Sequence, residues 1–476
     1  MEYGFLTLLP PILAIVFAVA FRKVALALLI GIFSGQMILC GWNPFTSISE
    51  SVNSILNVCA DTGNLKTFLF TSLMGAFVIL VRVSGGVKGF VNYLTEQSQK
   101  VKSPRMAMLI AYIIGIIIFI DGLLSIMFTG VVTRPLIDKF KVSREKLAYI
   151  CDATSAPVNA IIPLNSWGAM LMGLIGAEIA SGYISGDPMN LLVSSLPFQF
   201  YCILSLIFVL FYILSGKDWG PMKKAEERVR TTGKLFDDGV TPLLNDSDGF
   251  EELVPEGKEN KWNMMFPLIV LIGGTFVGLF VTGGGNITKG NGTTSILYSV
   301  TITLLVMCVY YAKQKIMTTK QFGEYVIKGI GNMITLVVLL VLAFAIGSVI
   351  KSLGTGTFMA SLIGDHVSGA FGPAIIFLLG AVMAFSTGTS WGTFSIMMPI
   401  AIPMAVAMDA NILLTIGAVV SGGVFGDHCS PISDTTILSS MSVGTDLFSH
   451  VKTQLPYALV TAACATVMYV VFGFIL

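Results

Sequence analysis

Gly426-Asp-His-Cys-Ser-Pro-Ile-Ser-Asp-Thr-Thr-Ile-Leu-Ser-Ser440 is the stretch on which the reading of this chain turns. It follows Ile412 to Phe425, a run without a charge. It sets two carboxylates, an imidazole, a proline and several hydroxyls where hydropathy places membrane. A charge at mid-bilayer costs roughly 2.5–3.5 kcal/mol on insertion scales, so ionisable residues at that depth face an interior cavity and mark ion or substrate pathways. Asp427 and Asp434 are the first candidates for an ion- and proton-binding site, with His428, Ser430, Ser433 and Thr435 around them.

The rest of the chain has the composition to surround such a site with lipid-facing helices. Of 476 residues, 54% are hydrophobic and 12% charged, against roughly 25% charged in a soluble domain. The expected class is an all-α polytopic membrane protein. Seven scattered cysteines show no metal-ligand spacing and read as small packing residues. There is no phosphate loop, nucleophile–base motif or repeated pore motif, so an enzyme, a channel and a nucleic-acid binder all lack support. No cofactor is expected. The first apolar run follows Glu2 and ends at Arg22-Lys23 with no small-residue cleavage site, and it reads as a span rather than a removable signal.

A helical crossing needs about 20 apolar residues, and cytoplasmic loops concentrate Lys and Arg. Spans are expected at Phe5–Ala20, Val24–Cys40, Thr67–Val81 and Phe198–Leu214, with Gly41–Lys66 as a polar external segment and Glu178 and Asp187 on an external loop. Met106–Phe140 is interrupted by Asp121-Gly122 and flanked by cations on both sides. A re-entrant hairpin entering from the cytoplasm fits those charges as well as two spans joined by a tight external turn, and is favoured. Leu147–Glu178 is interrupted at Ala156-Pro157 and again at Pro163, with Asp152, Thr154, Ser155, Asn159 and Asn165 clustered at the break, so it reads as a discontinuous helix.

The second half repeats the plan: Phe266–Val281, Ile296–Tyr311 and Ile334–Ile350 as spans, then Pro373–Met408 as a second hairpin with Ser386, Thr387, Gly388, Thr389 and Ser390 at its tip. The broken helix with Asp427 and Asp434 follows, then a last span from about Gln454. Residues 1–215 and 264–476 are thus expected to form two repeats, each of about five transmembrane helices and a re-entrant hairpin. Residues 216–263 form a polar cytoplasmic linker, partly disordered. An odd number of spans per half makes the repeats inverted, an architecture that places ions and substrate on broken helices at the midplane. A gapped match of Asp152–Pro157 to Asp427–Pro431 carries a trace of that symmetry.

A sodium ion wants oxygen ligands, which carboxylates, hydroxyls and the free carbonyls of a broken helix supply. Asp427, Ser430, Ser433, Asp434 and Thr435 surround one break; Asp152, Thr154, Ser155 and Asn159 are read beside the other. Asp121 suits a helix cap or an ion ligand. His428 suits a pH sensor or a hydrogen bond that fixes the break. Arg134 suits a pair with Asp138 or a substrate carboxylate. Where proton and Na+ compete for one carboxylate, exchange follows if the empty, unprotonated site does not cross.

The run from Gly426 to Ile437, with Phe119-Ile-Asp-Gly-Leu-Leu-Ser125 and Asp152-Ala-Thr-Ser-Ala-Pro157, resembles the NhaC family of Na+/H+ antiporters over most of the chain outside the linker. The resemblance implies a multi-pass secondary transporter of a prokaryotic inner membrane, in a superfamily whose members have paired hairpins and are often dimers. It implies exchange of cytoplasmic Na+ for external H+ at Asp427 and Asp434, with Asp152 and Asp121 as further carriers. It equally admits a Na+- or H+-coupled carrier of a small carboxylate or amino acid, held at the hydroxyl-rich hairpin tip.

Overall fold

The computed structural model describes residues 3–21, 23–97, 103–119, 121–236, 259–355, 358 and 368–476. All regular secondary structure among them is helical. The first half contains α1 (Leu9–Phe21), α2 (Val24–Leu39), α3 (Pro44–Ala60), α4 (Thr62–Val83), α5 (Gly86–Gln97), α6 (Pro104–Ile117), α7 (Gly122–Lys139), α8 (Arg144–Ile161), α9 (Ser166–Ala180), α10 (Pro188–Ser195), α11 (Phe200–Ser215) and α12 (Gly220–Thr232). The second contains α13 (Trp262–Thr282), α14 (Gly292–Lys313), α15 (Thr319–Asn332), α16 (Ile334–Ser352), α17 (Gly372–Thr387), α18 (Ser390–Ala407), α19 (Ile412–Cys429), α20 (Asp434–Val443) and α21 (Leu447–Ile475). Among the described residues ten helices are long and apolar enough to cross a membrane, or up to 11 if the bent pair α8–α9 is one span. The chain is an all-α, multi-pass membrane protein.

Several segments differ from the sequence reading. Gly41–Lys66 is not simply polar, because it contains α3, which leaves Phe45, Ile48, Val52 and Leu56 exposed along it. Glu178 is not in a loop but buried in the last turn of α9. Part of the linker folds: α12 buries Met222, Ala225 and Val229, while the remaining linker residues 237–258 lie outside the described residues. So does most of the flank before the second hairpin, 356–357 and 359–367.

Helices in the two halves run in register. α14, α17, α18, α19 and α20 begin at one constant offset in residue number from α2, α6, α7, α8 and α9, and the pairs α7/α18 and α8/α19 match at both ends. Their caps match too: Asp121 with Thr389, Ser143 with Asn411, Asn165 with Ser433. Pro135 and Pro403 fall at the same offset, as do Pro163 and Pro431. This gap-free register replaces the gapped pairing expected from sequence, so that the counterpart of Asp427 is Asn159 and not Asp152.

Of the two interruptions expected in the first half, only the one at Pro163 breaks the helix. α8 continues through Pro157 and ends at Ile161, and the chain bends by 44° into α9. The cause is Pro163, which forces the residue before it into extended backbone; Ile162 has φ −90° and ψ 115°. Asn165 then restarts the helix by accepting from Gly168 N at 3.0 Å, while its own amide donates to Asn159 O at 3.0 Å and to Phe119 O at 3.2 Å. The second half does the same with Pro431: Ser430 is extended, and Ser433 caps α20. Lipid offers the backbone groups of such a break no partner, so they are satisfied within the protein or where a cavity reaches them.

Asn165→Ala removes a cap and the donor to two buried carbonyls. It is expected to lower stability by about 1–3 kcal/mol, read as thermal unfolding in detergent, whereas Ser72→Ala, which only frees a carbonyl of its own helix, should stay within about 0.5 kcal/mol.

Candidate ion-binding site

A cavity of about 690 Å³ lies where the turns of both helix pairs and the second-half break converge. Its wall takes Asp121 and Gly122 from the α6–α7 turn, Thr389, Ser390 and Trp391 from the α17–α18 turn, Asp427 from the end of α19, Asp434 and Thr435 from the start of α20, Trp167 from α9 and Arg82 from α4.

The second-half corner is built from its turn upward. α17 stops at Gly388, in the left-handed region at φ +67°. A side chain there would sit 2.7 Å from the carbonyl oxygen of Ile432, so turn and break are in direct contact. Thr389 caps α18, which puts the next residue, Ser390, over α19, where its hydroxyl donates to Asp427 Oδ2. Ser430 Oγ donates to Phe385 O at 2.7 Å and pins the break to the end of α17. Asp427 Oδ1 is buried and has no hydrogen-bond partner. Asp434 is the first residue of α20, where the helix dipole favours a carboxylate, and it stands open to the cavity. Ser433 Oγ accepts from Thr435 N at 3.2 Å and lies 3.0 Å from Thr435 Oγ1. Asp427 and Asp434 lie close enough for each charge to act on the other, and Asp121 acts on Asp434 as well. The remaining tip hydroxyls turn away: Ser386 and Thr387 donate to Val382 O and Met383 O of their own helix, at 2.8 and 2.9 Å.

In the first half the same corner carries different side chains. Asp121 caps α7, accepting from Leu124 N at 2.9 Å. Ser155 Oγ donates to Gly122 O at 2.7 Å. Gly122 faces Asn159 as Ser390 faces Asp427: a Cβ on Gly122 would lie 3.6 Å from Asn159 Nδ2. Neither Asp152 nor Thr154 lines the cavity. Thr154 Oγ1 donates to Ile150 O at 2.6 Å, one turn back on its own helix. Asp152 belongs to a separate buried network in which its Oδ2 accepts from Gln454 Nε2 at 3.0 Å and lies 3.4 Å from His450 Nε2. Gln454 also donates to His428 O. The His428 ring points away from Asp427 to the Tyr201 hydroxyl, 2.7 Å from Nδ1, and lies parallel to Tyr149.

Sequence reasoning missed Arg82, His450 and Gln454. Arg82 directly follows the expected span Thr67–Val81; it lines the cavity and acts on Asp121. His450 lies in Thr445–Lys452, expected as a cytoplasmic turn but largely the first part of α21, and Gln454 stands at the expected start of the last span. Asp138 pairs with Arg144, at 2.9 and 3.1 Å, and not with Arg134, which lies outside the cavity wall. Among the described residues no group of three or more His, Cys, Asp or Glu side chains is arranged to hold a metal, so a cation here would rest on mixed carboxylate, hydroxyl and carbonyl oxygens.

Apolar spans surround an acidic cavity between paired helical turns and a broken helix, the arrangement of a membrane transporter. Residues 165–474 match the model of the Na+/H+ antiporter family, and the chain belongs to that family. It is 34% identical to an uncharacterized protein of Haemophilus influenzae, over 98% of this chain and 91% of the relative. Over 33% of each chain it is 30% identical to the malate-2H+/Na+-lactate antiporter of Bacillus subtilis. Its fold is similar to that of the YdaH transporter of Alcanivorax borkumensis, with a TM-score of 0.59 over 90% of this chain and 89% of that one at 13% identity.

Asp427→Asn and Asp434→Asn keep the shape and remove the charge, and each is expected to abolish transport by protein that still folds. Ser390→Ala, which strips one contact from Asp427, is expected to weaken apparent cation affinity by about 10–100-fold. Asp138→Asn, at a partly exposed ion pair worth about 1 kcal/mol or less, should transport normally. Ion uptake by each purified variant checks the set.

Proposed function

We propose that this protein is a secondary antiporter that exchanges cytoplasmic Na+ for external H+ by competition at Asp427 and Asp434. The observation that carries the reading is the Asp427 carboxylate, buried, tied by one oxygen to Ser390 and with the other unpartnered beside the cavity. Ser390, Ser433, Thr435 and the carbonyls of the α19–α20 break are the neutral oxygens that would complete a Na+ shell of the kind hard cations favour. A proton on Asp427 or Asp434 removes the charge that attracts Na+, so the two cargoes exclude each other. The halves act as inverted repeats, with the 137–146 and 216–263 regions cytoplasmic and the loop at Asp187 external. No resident cofactor takes part.

A second reading rests on the size and chemistry of the cavity. About 690 Å³ is room for far more than one ion, and pockets of a few hundred cubic ångströms with a few convergent polar groups suit small organic ligands. Arg82 and the indole N–H of Trp391 would meet a carboxylate, and Asp121 or Asp434 an ammonium group. The Bacillus subtilis relative, named for malate and lactate exchange, fits this second reading.

Two measurements decide between these readings and test the topology. In sealed proteoliposomes with an imposed pH gradient, Na+ alone is expected to collapse the gradient, with an apparent Na+ affinity that weakens as pH falls because protons occupy the shared carboxylates. If the gradient stands until a dicarboxylate, lactate or an amino acid is added, the organic carrier replaces the antiporter. Cysteines substituted for Lys141 and Asp187 are expected to react with an impermeant thiol reagent from the cytoplasmic and external sides respectively; labelling from one side would end the inverted arrangement.

A further inference from the structure

Helices α9, α16 and α18 each touch the cavity near one end, through Trp167, Leu339 and Trp391, and pack against one another as they run away from it. Trp167 and Trp391 meet edge to face with ring centroids 6.0 Å apart at 86°, and Phe394 meets Trp167 at 6.0 Å and 68°. Trp167 and Trp391 line the cavity, and with Phe394 they form an aromatic layer at the cavity end of these helices. About 16 Å further along α9, at about 1.5 Å per residue, the same three helices meet around Glu178.

Glu178 is 1% exposed, and neither carboxylate oxygen has a hydrogen-bond partner. Its Oε1 lies 3.5 Å from the point where a Cβ on Gly347 of α16 would stand, and Pro399 Cβ of α18 lies 3.7 Å from the same point. The charged and titratable groups nearby are few. α16 brings Lys351, exposed and directed at Gly182 beyond the end of α9. The following loop brings Tyr183, whose hydroxyl feels the Glu178 charge. α18 carries no titratable residue. Asp187 is engaged by Asn190 N and Gly292 N, Lys66 at the start of α4 by Thr294 Oγ1, and Asp152 of α8 by Gln454. An ionised carboxylate in this setting costs several kcal/mol, and one bound proton removes that cost.

We propose that Glu178 is a proton-binding residue of the transport cycle, loading a proton on the side of the aromatic layer remote from Asp427 and Asp434. The step is the formation of one O–H bond between the carboxylate and a proton from water, and its later cleavage with return of that proton to water or to the central carboxylates. Closure of α9, α16 and α18 over Glu178 then requires the neutral acid, and opening them to water allows the proton to leave. This rests on the reading of the protein as a proton-coupled transporter.

The test compares wild type with Glu178→Gln and Glu178→Asp, purified full-length and reconstituted. In Glu178→Gln, uptake of radioactive Na+ driven by a pH gradient is expected to fall about tenfold or more, while Na+/Na+ exchange without a gradient stays within about twofold of wild type. Glu178→Asp should restore gradient-driven uptake with a shifted pH profile. Gradient-driven uptake by Glu178→Gln with the wild-type rate and pH profile overturns the proposal. Infrared spectroscopy separates this outcome from failure of the antiporter reading, because it needs no transport. A protonated carboxyl C=O band present in wild type, lost in Glu178→Gln and displaced in Glu178→Asp supports a proton on Glu178 whatever the cargo; identical bands in all three proteins overturn it. Should Glu178→Gln not fold, the displacement in Glu178→Asp alone decides.

Discussion

A helix that stops inside a bilayer leaves N–H and C=O groups that no lipid can satisfy, and the arrangement around residues 430–433 answers that constraint. Ser430 ties the end of α19 to Phe385, Ser433 caps α20, and Gly388 lets the neighbouring turn come within contact of the break. The first half solves the same problem with Asn165, Ser155 and the α6–α7 turn. Polar side chains needed to hold the backbone are thereby gathered beside the two cavity carboxylates, Asp427 and Asp434. The chemistry of the site grows out of the repair of the helix breaks.

The two corners share geometry but not charge. Gly122 and Asn159 in one half stand where Ser390 and Asp427 stand in the other, and Ser166 stands where Asp434 does. A symmetric pair of corners would set two carboxylates at each break. Here the first-half corner is neutral at the break and acidic at its turn, through Asp121. One half therefore offers a charged break to the cavity, and the other a rigid wall of amide and hydroxyl contacts.

Much of this was legible in the chain before any coordinates. The polar residues after an uncharged run at Ile412–Phe425, the prolines and the Lys and Arg pattern identify the spans, the paired turns and the acidic break. What was not legible has particular causes. Pro157 is a helix breaker by local propensity, yet buried packing carries α8 through it, and only Pro163 with a cap two residues later ends the helix. The true register was hidden because corresponding positions hold different residues, Asn159 for Asp427 and Ser166 for Asp434; the shared prolines Pro163 and Pro431 were the usable signal. Asp152 looked like a site residue by its neighbours, but on a helix the direction of a side chain is set by packing, and it turns to Gln454. Glu178 was assigned to an external loop, and Arg82 passed over just beyond a span, because hydropathy marks where a span ends and is silent about which way its last side chains point.

The docked part of the linker constrains motion. α12 sits against α8 from the first half and α21 from the second. Lys146 Nζ lies 2.7 Å from Asp218, Arg228 lies 2.7 Å from Glu145, and the Trp219 ring packs 4.4 Å from that of Tyr457. Both ion pairs bury a group almost wholly inside the protein, Lys146 in one and Glu145 in the other, and separating such a pair leaves a charge stranded. Both ion pairs fasten the linker to α8 of the first half, and the Trp219–Tyr457 contact lays it against α21 of the second, so the segment that joins the halves in sequence also bridges them in space.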